Sequence, residues 1–413
     1  MKILYVCHRI PYPPDKGEKI RAYHHVRHLA GRHDVHLCCL ADRKEDLGST
    51  DALRAICRQV DVFPLNPLLG RLKLVNALLK GCPLTLSYFH SPRMMRRVRD
   101  AARHGSFDAA VAYSSSMVPY VSNLGIPWVV DFVDLDSQKW LQYADAQPFP
   151  LSWLYRREAR KLLEFELASS ERAGASIFVT DREGRLLKEK GSPRRLCAIS
   201  LGVDFDYYRL DVQPDPGIAA LDRPVILFVG NMDYRPNFEA VLVFARHVLP
   251  RIQARVENAL FLVVGANPPA KVKALHDGTS IIVTGRVPDP RPFLKAADLS
   301  VVPLFMARGI QTKVLEALAM ELPVVLTSTA ADSVGAEPGR DYLVANDHET
   351  MADDVVRLLG DKEAARELAE AGRRYVERAY RWDDKLDQYE KIIREAAGQP
   401  ADPGKVQASA KEF

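Results

Sequence analysis

Lys313 and Glu316 stand three residues apart in "VVPLFMARGIQTKVLEALAMELPVVLT" (301–327), the stretch with the strongest chemical signal in the chain. The pattern predicts a buried strand, a loop containing Gly309, a helix from near Thr312 to about Met320, and a second buried strand. That order aims a helix N-terminus, with its unbonded N–H groups, past the strand end, where an anion is favoured. Gly309 permits close backbone approach. A cation in a first helical turn opposes the helix dipole, so Lys313 makes better sense if a diphosphate offsets its charge. Glu316 lies one turn further on, on roughly the same face as Thr312 and Lys313, where its carboxylate could accept both hydroxyls of a ribose. A solvated helix end carrying an i,i+3 Lys–Glu pair is the competing reading.

Carboxylates gather a second time at "VVDFVDLD" (129–136). In an extended strand Asp134 and Asp136 share a face, and Asp131 is close by. Such a group could hold a divalent metal or position a hydroxyl. Between Pro67 and Gly105, Arg71, Lys73, Lys80, Arg93, Arg96, Arg97, Arg99 and Arg103 face a single acid, Asp100, with Leu, Val, Met and Phe interleaved. A basic amphipathic pattern of this kind suits an anionic membrane surface or a lipid-diphosphate. Two helices with Leu and Met cores and charged exteriors would produce it as well. No stacking platform or nucleic-acid motif accompanies it, which sets nucleic acid aside.

The elements that must position these residues follow from apolar runs. In the first half "KILYVC" (2–7), "DVHLCCL" (34–40), "VDVFPL" (60–65), "FDAAVAY" (107–113), "PWVVDFVD" (127–134) and "ASIFVT" (175–180) read as strands, with a helix from about Gly17 to Gly31. After a polar, Pro-containing stretch at 206–224 the series restarts with "VILFVGN", "ALFLVVG", "SIIVTG", "LSVVPL" and "LPVVLT". Continuous apolar strands separated by helices imply parallel sheets covered on both faces. The expected fold is therefore α/β, with two Rossmann-like doubly wound domains facing a cleft. Their bounds are set at 1–205 and 206–380. The stretch 399–413 lacks apolar periodicity and is expected to be disordered.

A chain of 413 residues suits two domains, and 47% hydrophobic with 27% charged residues is a soluble enzyme's profile. No apolar stretch is long enough to span a bilayer, and "MKILYVCHRIPYPP" carries no cleavage site. A cytoplasmic protein is expected, with the basic segment as a means of peripheral attachment at the inner face of the membrane. The six cysteines show no metal-ligand spacing, and Cys38 and Cys39 read as small buried hydrophobes.

Together these stretches resemble glycosyltransferase family 4, whose fold is called GT-B. "CHRIPYPPDKGEKIRAYHH" and "DFVDLDSQKW" resemble, more narrowly, sugar transferases associated with bacterial PEP-CTERM and exopolysaccharide systems. The resemblance covers nearly the whole chain. It implies a metal-independent, retaining enzyme without a cofactor, moving a sugar from a UDP or GDP donor to a glycan or polyprenyl-linked acceptor. It implies donor contacts at Gly17 in "DKGEK", at Gly230, Asn231 and Arg235 in "GNMDYRPN", and at Arg286 and Val287 in "VTGRVPD". Arg308, Gly309, Ile310, Gln311, Thr312, Lys313 and Glu316 complete the set. It also implies that "SLGVDFDYY" (200–208) is a hinge and that a terminal helix, 381–398, packs back on the first domain.

The family usually has two Glu residues, and the earlier one is Arg308 here. A usual Arg and Lys in the phosphate loop read Asn231 and Pro236, and a His before Asp134 reads Val133. Lys313 and Arg308 are therefore expected to neutralise the diphosphate, with Asp134 positioning a hydroxyl or acting as base. These departures keep a non-catalytic partner subunit open as an alternative, beside a sugar-nucleotide epimerase of the same fold. A nicotinamide oxidoreductase would need GxGxxG after a strand, which neither "CHRIPYPPDKGEK" nor "GNMDYRPN" supplies.

Overall fold

The computed structural model describes residues 1–14, 17–41, 47–48, 50–65, 67–306 and 309–399. The side chains of 67–69, 71 and 72 lie outside the described residues, as do Arg308 and all but the first residue of the tail 399–413. The chain divides into two compact units, Met1–Leu201 with the segment from Trp382 onward, and Gly202–Arg381.

The first unit holds a seven-stranded sheet of β1 (Lys2–Cys7), β2 (Asp34–Ala41), β3 (Gln59–Pro64), β4 (Ala109–Tyr113), β5 (Trp128–Val133), β6 (Ser176–Phe178) and β7 (Leu196–Ala198). Its order is β3-β2-β1-β4-β5-β6-β7, and every pairing is parallel. Alternate residues of each strand enter separate cores. Ile3, Tyr5, Val35, Leu37 and Val111 meet helix α1 (Gly17–Ala30) through Ala22, Val26 and Leu29. Leu4, Val6, Leu40, Ala112 and Val130 lie on the other side, against Met94 and Val98. Adjacent Cys38 and Cys39 are thus buried in opposite cores, and neither forms a disulfide. The helix Trp382–Ala396 packs Tyr389, Ile392 and Ile393 into the core beneath α1.

Further helices of this unit are α2 (Pro67–Leu79), α3 (Leu84–Tyr88), α4 (Pro92–His104), α5 (Asp136–Asp145) and α6 (Leu151–Arg172). Ser91 caps α4 by accepting the Met94 N–H, and Pro92 fits its first turn. Within the basic segment, Met94, Val98 and Ala101 turn this helix's apolar stripe inward. The α4 stripe is therefore core, and cannot be the lipid-facing surface that the amphipathic pattern allowed.

The second unit has six strands: β8 (Val225–Val229), β9 (Leu260–Val264), β10 (Ile281–Gly285), β11 (Leu299–Val302), β12 (Val324–Leu326) and β13 (Leu343–Val344). Their order is β10-β9-β8-β11-β12-β13, again parallel throughout. The two doubly wound sheets match the expected fold class. Both reverse their winding direction at one point, between β1 and β4 and between β8 and β11. Ligands of such sheets bind outside the carboxyl ends of the strands at that reversal.

Candidate donor site

In the second unit the reversal is flanked by the loop after β8 and by the loop from β11 into helix α8 (Thr312–Ala319), with α7 (Arg235–Val243) following the first loop. Both candidate stretches thus fall at the strand ends where a ligand is expected. The helix α8 starts at Thr312, as the sequence implied, behind Gln311, which has extended backbone and makes no side-chain cap. Its first-turn N–H groups are therefore not satisfied by a capping side chain. Gly309 adopts φ +61°, a left-handed conformation that suits glycine.

Lys313 reaches across to the other loop. A Cβ placed on Gly230 would lie 3.3 Å from the Lys313 Cε. Its ammonium donates to Gln311 Oε1 at 3.2 Å and lies 5.9 Å from the centre of the Phe228 ring. Burial pulls its pKa down from 10.5 to about 8, against the opposing pull of Glu316. Glu316 is raised above the ordinary carboxyl value by burial, with Lys313 and the Thr312 and Tyr208 side chains holding it down. A solvated surface pair would show neither shift.

Two glycines let the strand ends close up here. A Cβ on Gly265, which follows β9, would fall 1.8 Å from the Gly230 carbonyl oxygen. The Gly230 N–H donates to Val264 O at 3.0 Å, and Met232 N–H to Ala266 O at 2.9 Å. Asn231 holds the loop itself: its Oδ1 accepts from Asp233 N at 3.1 Å, and its carbonyl from Asn237 Nδ2 at 2.8 Å.

Tyr208 was not singled out by any motif, although it ends the "DFDYY" segment. Burial, followed by the charge of Glu316, pushes its hydroxyl well above the usual tyrosine range. The neighbouring backbone is fixed by Arg291, whose guanidinium stacks 3.9 Å from the Tyr207 ring centre and donates to Tyr207 O at 2.7 Å. Asp289 completes the lock, accepting from Arg291 and from the Tyr207 hydroxyl at 3.1 Å. The Tyr pair that closes "SLGVDFDYY" was the available signal.

The structure therefore brings Gly230, Gln311, Thr312, Lys313 and Glu316 together, with Ile310 buried at the helix entrance. Arg235 is instead exposed and pairs with Glu239 at 2.7 Å. Arg286 is exposed and Val287 half-buried in the loop after β10. Arg308 lies outside the described residues.

In the first unit Gly17 opens α1, and a Cβ there would meet nothing within 4 Å. Among the described residues of the unit, nothing demands glycine at that position. The aspartate group needs a correction: β5 ends at Val133 and Asp136 opens α5, so Asp134 and Asp136 do not share one extended strand. Asp131 is fully buried and accepts from Arg21 Nε at 3.1 Å, while Asp136 accepts from Ser115 Oγ at 2.6 Å. Asp131 also accepts at 3.0 Å the N–H of Val133, a β-branched residue held at φ +66°. Such strain just before Asp134 is characteristic of functional strand ends. Among the described residues, two other groups have ligand-like spacing, His36/Cys38/Asp61 and His28/Asp387/Glu390. Each already has an arginine on its carboxylates, Arg97 at 2.7 Å and Arg32 at 2.7 and 2.8 Å, which disfavours a cation.

Residues 223–361 match the family model described as Glycosyl transferases group 1. The chain is 28% identical over 205 residues to a GDP-mannose-dependent alpha-(1-6)-phosphatidylinositol monomannoside mannosyltransferase of Mycobacterium tuberculosis. That match takes in 44% of this chain and 51% of the relative, so the chain spans about half the length of this curated relative. An alpha-D-kanosaminyltransferase of Streptomyces kanamyceticus is 24% identical over 378 residues, covering 84% of this chain and 91% of the relative. Among solved structures, Anabaena HepE in complex with UDP superposes with a TM-score of 0.68 at 14% identity, covering 96% of this chain and all of that one. The fold is thus GT-B, and the match to the family model lies within its second unit.

Proposed function

We propose that the protein is a glycosyltransferase that binds a nucleotide-diphosphate sugar in its second unit and passes the sugar to an acceptor. The observation that carries this reading is the convergence of Lys313, Glu316 and Gly230 at the winding reversal, inside the matched residues 223–361. Uncapped N–H groups and Lys313 would hold the diphosphate and stabilise it as it leaves, with Arg308 as a second cation. This arrangement calls for no metal ion. Glu316 would accept the ribose hydroxyls, and Tyr208 would keep its carboxylate aimed at them.

At finer grain we assign the protein to family 4, with retention of anomeric configuration and Asp134 positioning a hydroxyl. A UDP or GDP donor is supported by the GDP-mannose dependence of one relative and the UDP held by one structural neighbour. The acceptor is a glycan or polyprenyl-linked sugar made at the cytoplasmic face of a bacterial membrane for exopolysaccharide. No helix among the described residues is long and apolar enough to cross that membrane.

A thermal-shift panel of UDP-, GDP-, ADP- and CDP-sugars tests the donor reading, since a ligand of the folded state raises its stability. One nucleotide series should raise Tm without added metal. No shift with any of them would refute it. Release of free nucleotide that depends on an acceptor would separate a transferase from an epimerase.

A further inference from the structure

With the α4 stripe buried, the large apolar side chains left in solvent on the first unit lie elsewhere. Leu79 is 82% and Val75 61% exposed at the end of α2, while Phe149 is 80% and Trp153 57% exposed around the turn from α5 into α6. Hydrogen bonds join these two places. Arg157 on α6 donates to the carbonyl of Cys82, three residues beyond Leu79, at 3.3 Å. Glu158 accepts the N–H groups of Leu84 and Thr85 at 2.7 and 2.8 Å, and Trp140 Nε1 donates to Thr85 Oγ1 at 3.0 Å. Trp153 precedes Arg157 by one turn and shares the helix face that Arg157 ties to Cys82, three residues past the end of α2.

We propose that the end of α2 and the α5–α6 turn form one surface that docks on an anionic phospholipid bilayer, with Phe149 and Trp153 entering the interface. Large apolar side chains grouped in solvent mark interaction sites. The choice of bilayer over protein rests on charge. Lys80 follows the end of α2 directly and Arg160 follows Trp153 by two helical turns on α6, and both are exposed. Aromatic rings with amphipathic cations around them match the headgroup boundary, where a ring is half desolvated and a cation meets phosphate. The inference rests on the reading of a membrane-borne acceptor and adds which face meets the lipid.

Flotation of the full chain with phosphatidylglycerol-containing or pure phosphatidylcholine vesicles tests it. Wild type should float only with the anionic vesicles, and Phe149→Ser/Trp153→Ser should float about tenfold less while keeping its nucleotide thermal shift. Trp153 emission should move to the blue on binding, with Trp153→Phe as reference. A wild type that floats with neither vesicle overturns both this inference and the membrane reading. A double variant that floats like wild type overturns the assignment of the surface alone. A wild-type dimer that the double variant splits, with flotation unchanged, would make a second copy the occupant and overturn it too.

Discussion

Burial beside Glu316 leaves the Lys313 ammonium with a pKa of about 8, so its charge depends on what binds next to it. A diphosphate would raise that value again, and donor binding then takes up a proton once the free lysine is neutral. Nucleotide affinity should hold steady up to about pH 8 and then fall about tenfold per pH unit. The sign for folding runs the other way. A lysine depressed in the folded state opposes folding below its folded pKa, and that cost is relieved as pH rises from about 8 toward 10.5. Lys313→Ala should weaken nucleotide binding at neutral pH by about 2 kcal/mol, and Lys313→Arg should keep affinity while flattening the pH profile. Isothermal titration between pH 7 and 9.5 measures both. An unchanged slope in Lys313→Arg would assign the titration to another group. Lys313 and Glu316 were legible in the sequence because spacing alone puts them on one helix face. Tyr208 was not, because it reaches Glu316 from a loop more than a hundred residues away.

At the scale of elements, the contact of Gly230 with Gly265 sets how closely the ends of β8 and β9 approach. Gly265→Ala has no room for its methyl group, because the obstacle is a backbone carbonyl that cannot rotate aside. The expected loss is at least about 2 kcal/mol in urea unfolding, with weakened nucleotide binding, since the Gly230 loop must shift. Stability within a few tenths of wild type would mean that the strand ends open freely. In the sequence Gly265 looked like an ordinary strand end, because a long-range backbone contact leaves no local pattern. The buried strands were readable for the opposite reason, since β4, β8 and β9 are continuous apolar runs. The edge strands β7 and β13, three and two residues long, are too short to show a period. Asp136 was misplaced because nothing local announced that β5 would stop at Val133.

Across the whole molecule, each unit repeats one topology, and each has chemistry-bearing residues at its strand ends. In the second unit these are Lys313, Glu316 and Tyr208, and in the first Asp134, with the strained Val133 before it. Sequence periodicity was enough for the two parallel sheets because their central strands, β1, β4, β8 and β9 among them, bury both faces. The partition of charge between core, ion pair and free surface needed the folded chain: Arg235 is tied to Glu239 and Asp131 to Arg21. The central claim is that a nucleotide diphosphate binds at Glu316 and Lys313. It is tested most directly by isothermal titration of UDP and GDP into wild type and Glu316→Gln. The account predicts that one nucleotide binds wild type without added metal, and that Glu316→Gln binds it with about 1.5–3 kcal/mol less free energy. Equal affinity for the two proteins, or binding of neither nucleotide, would contradict it.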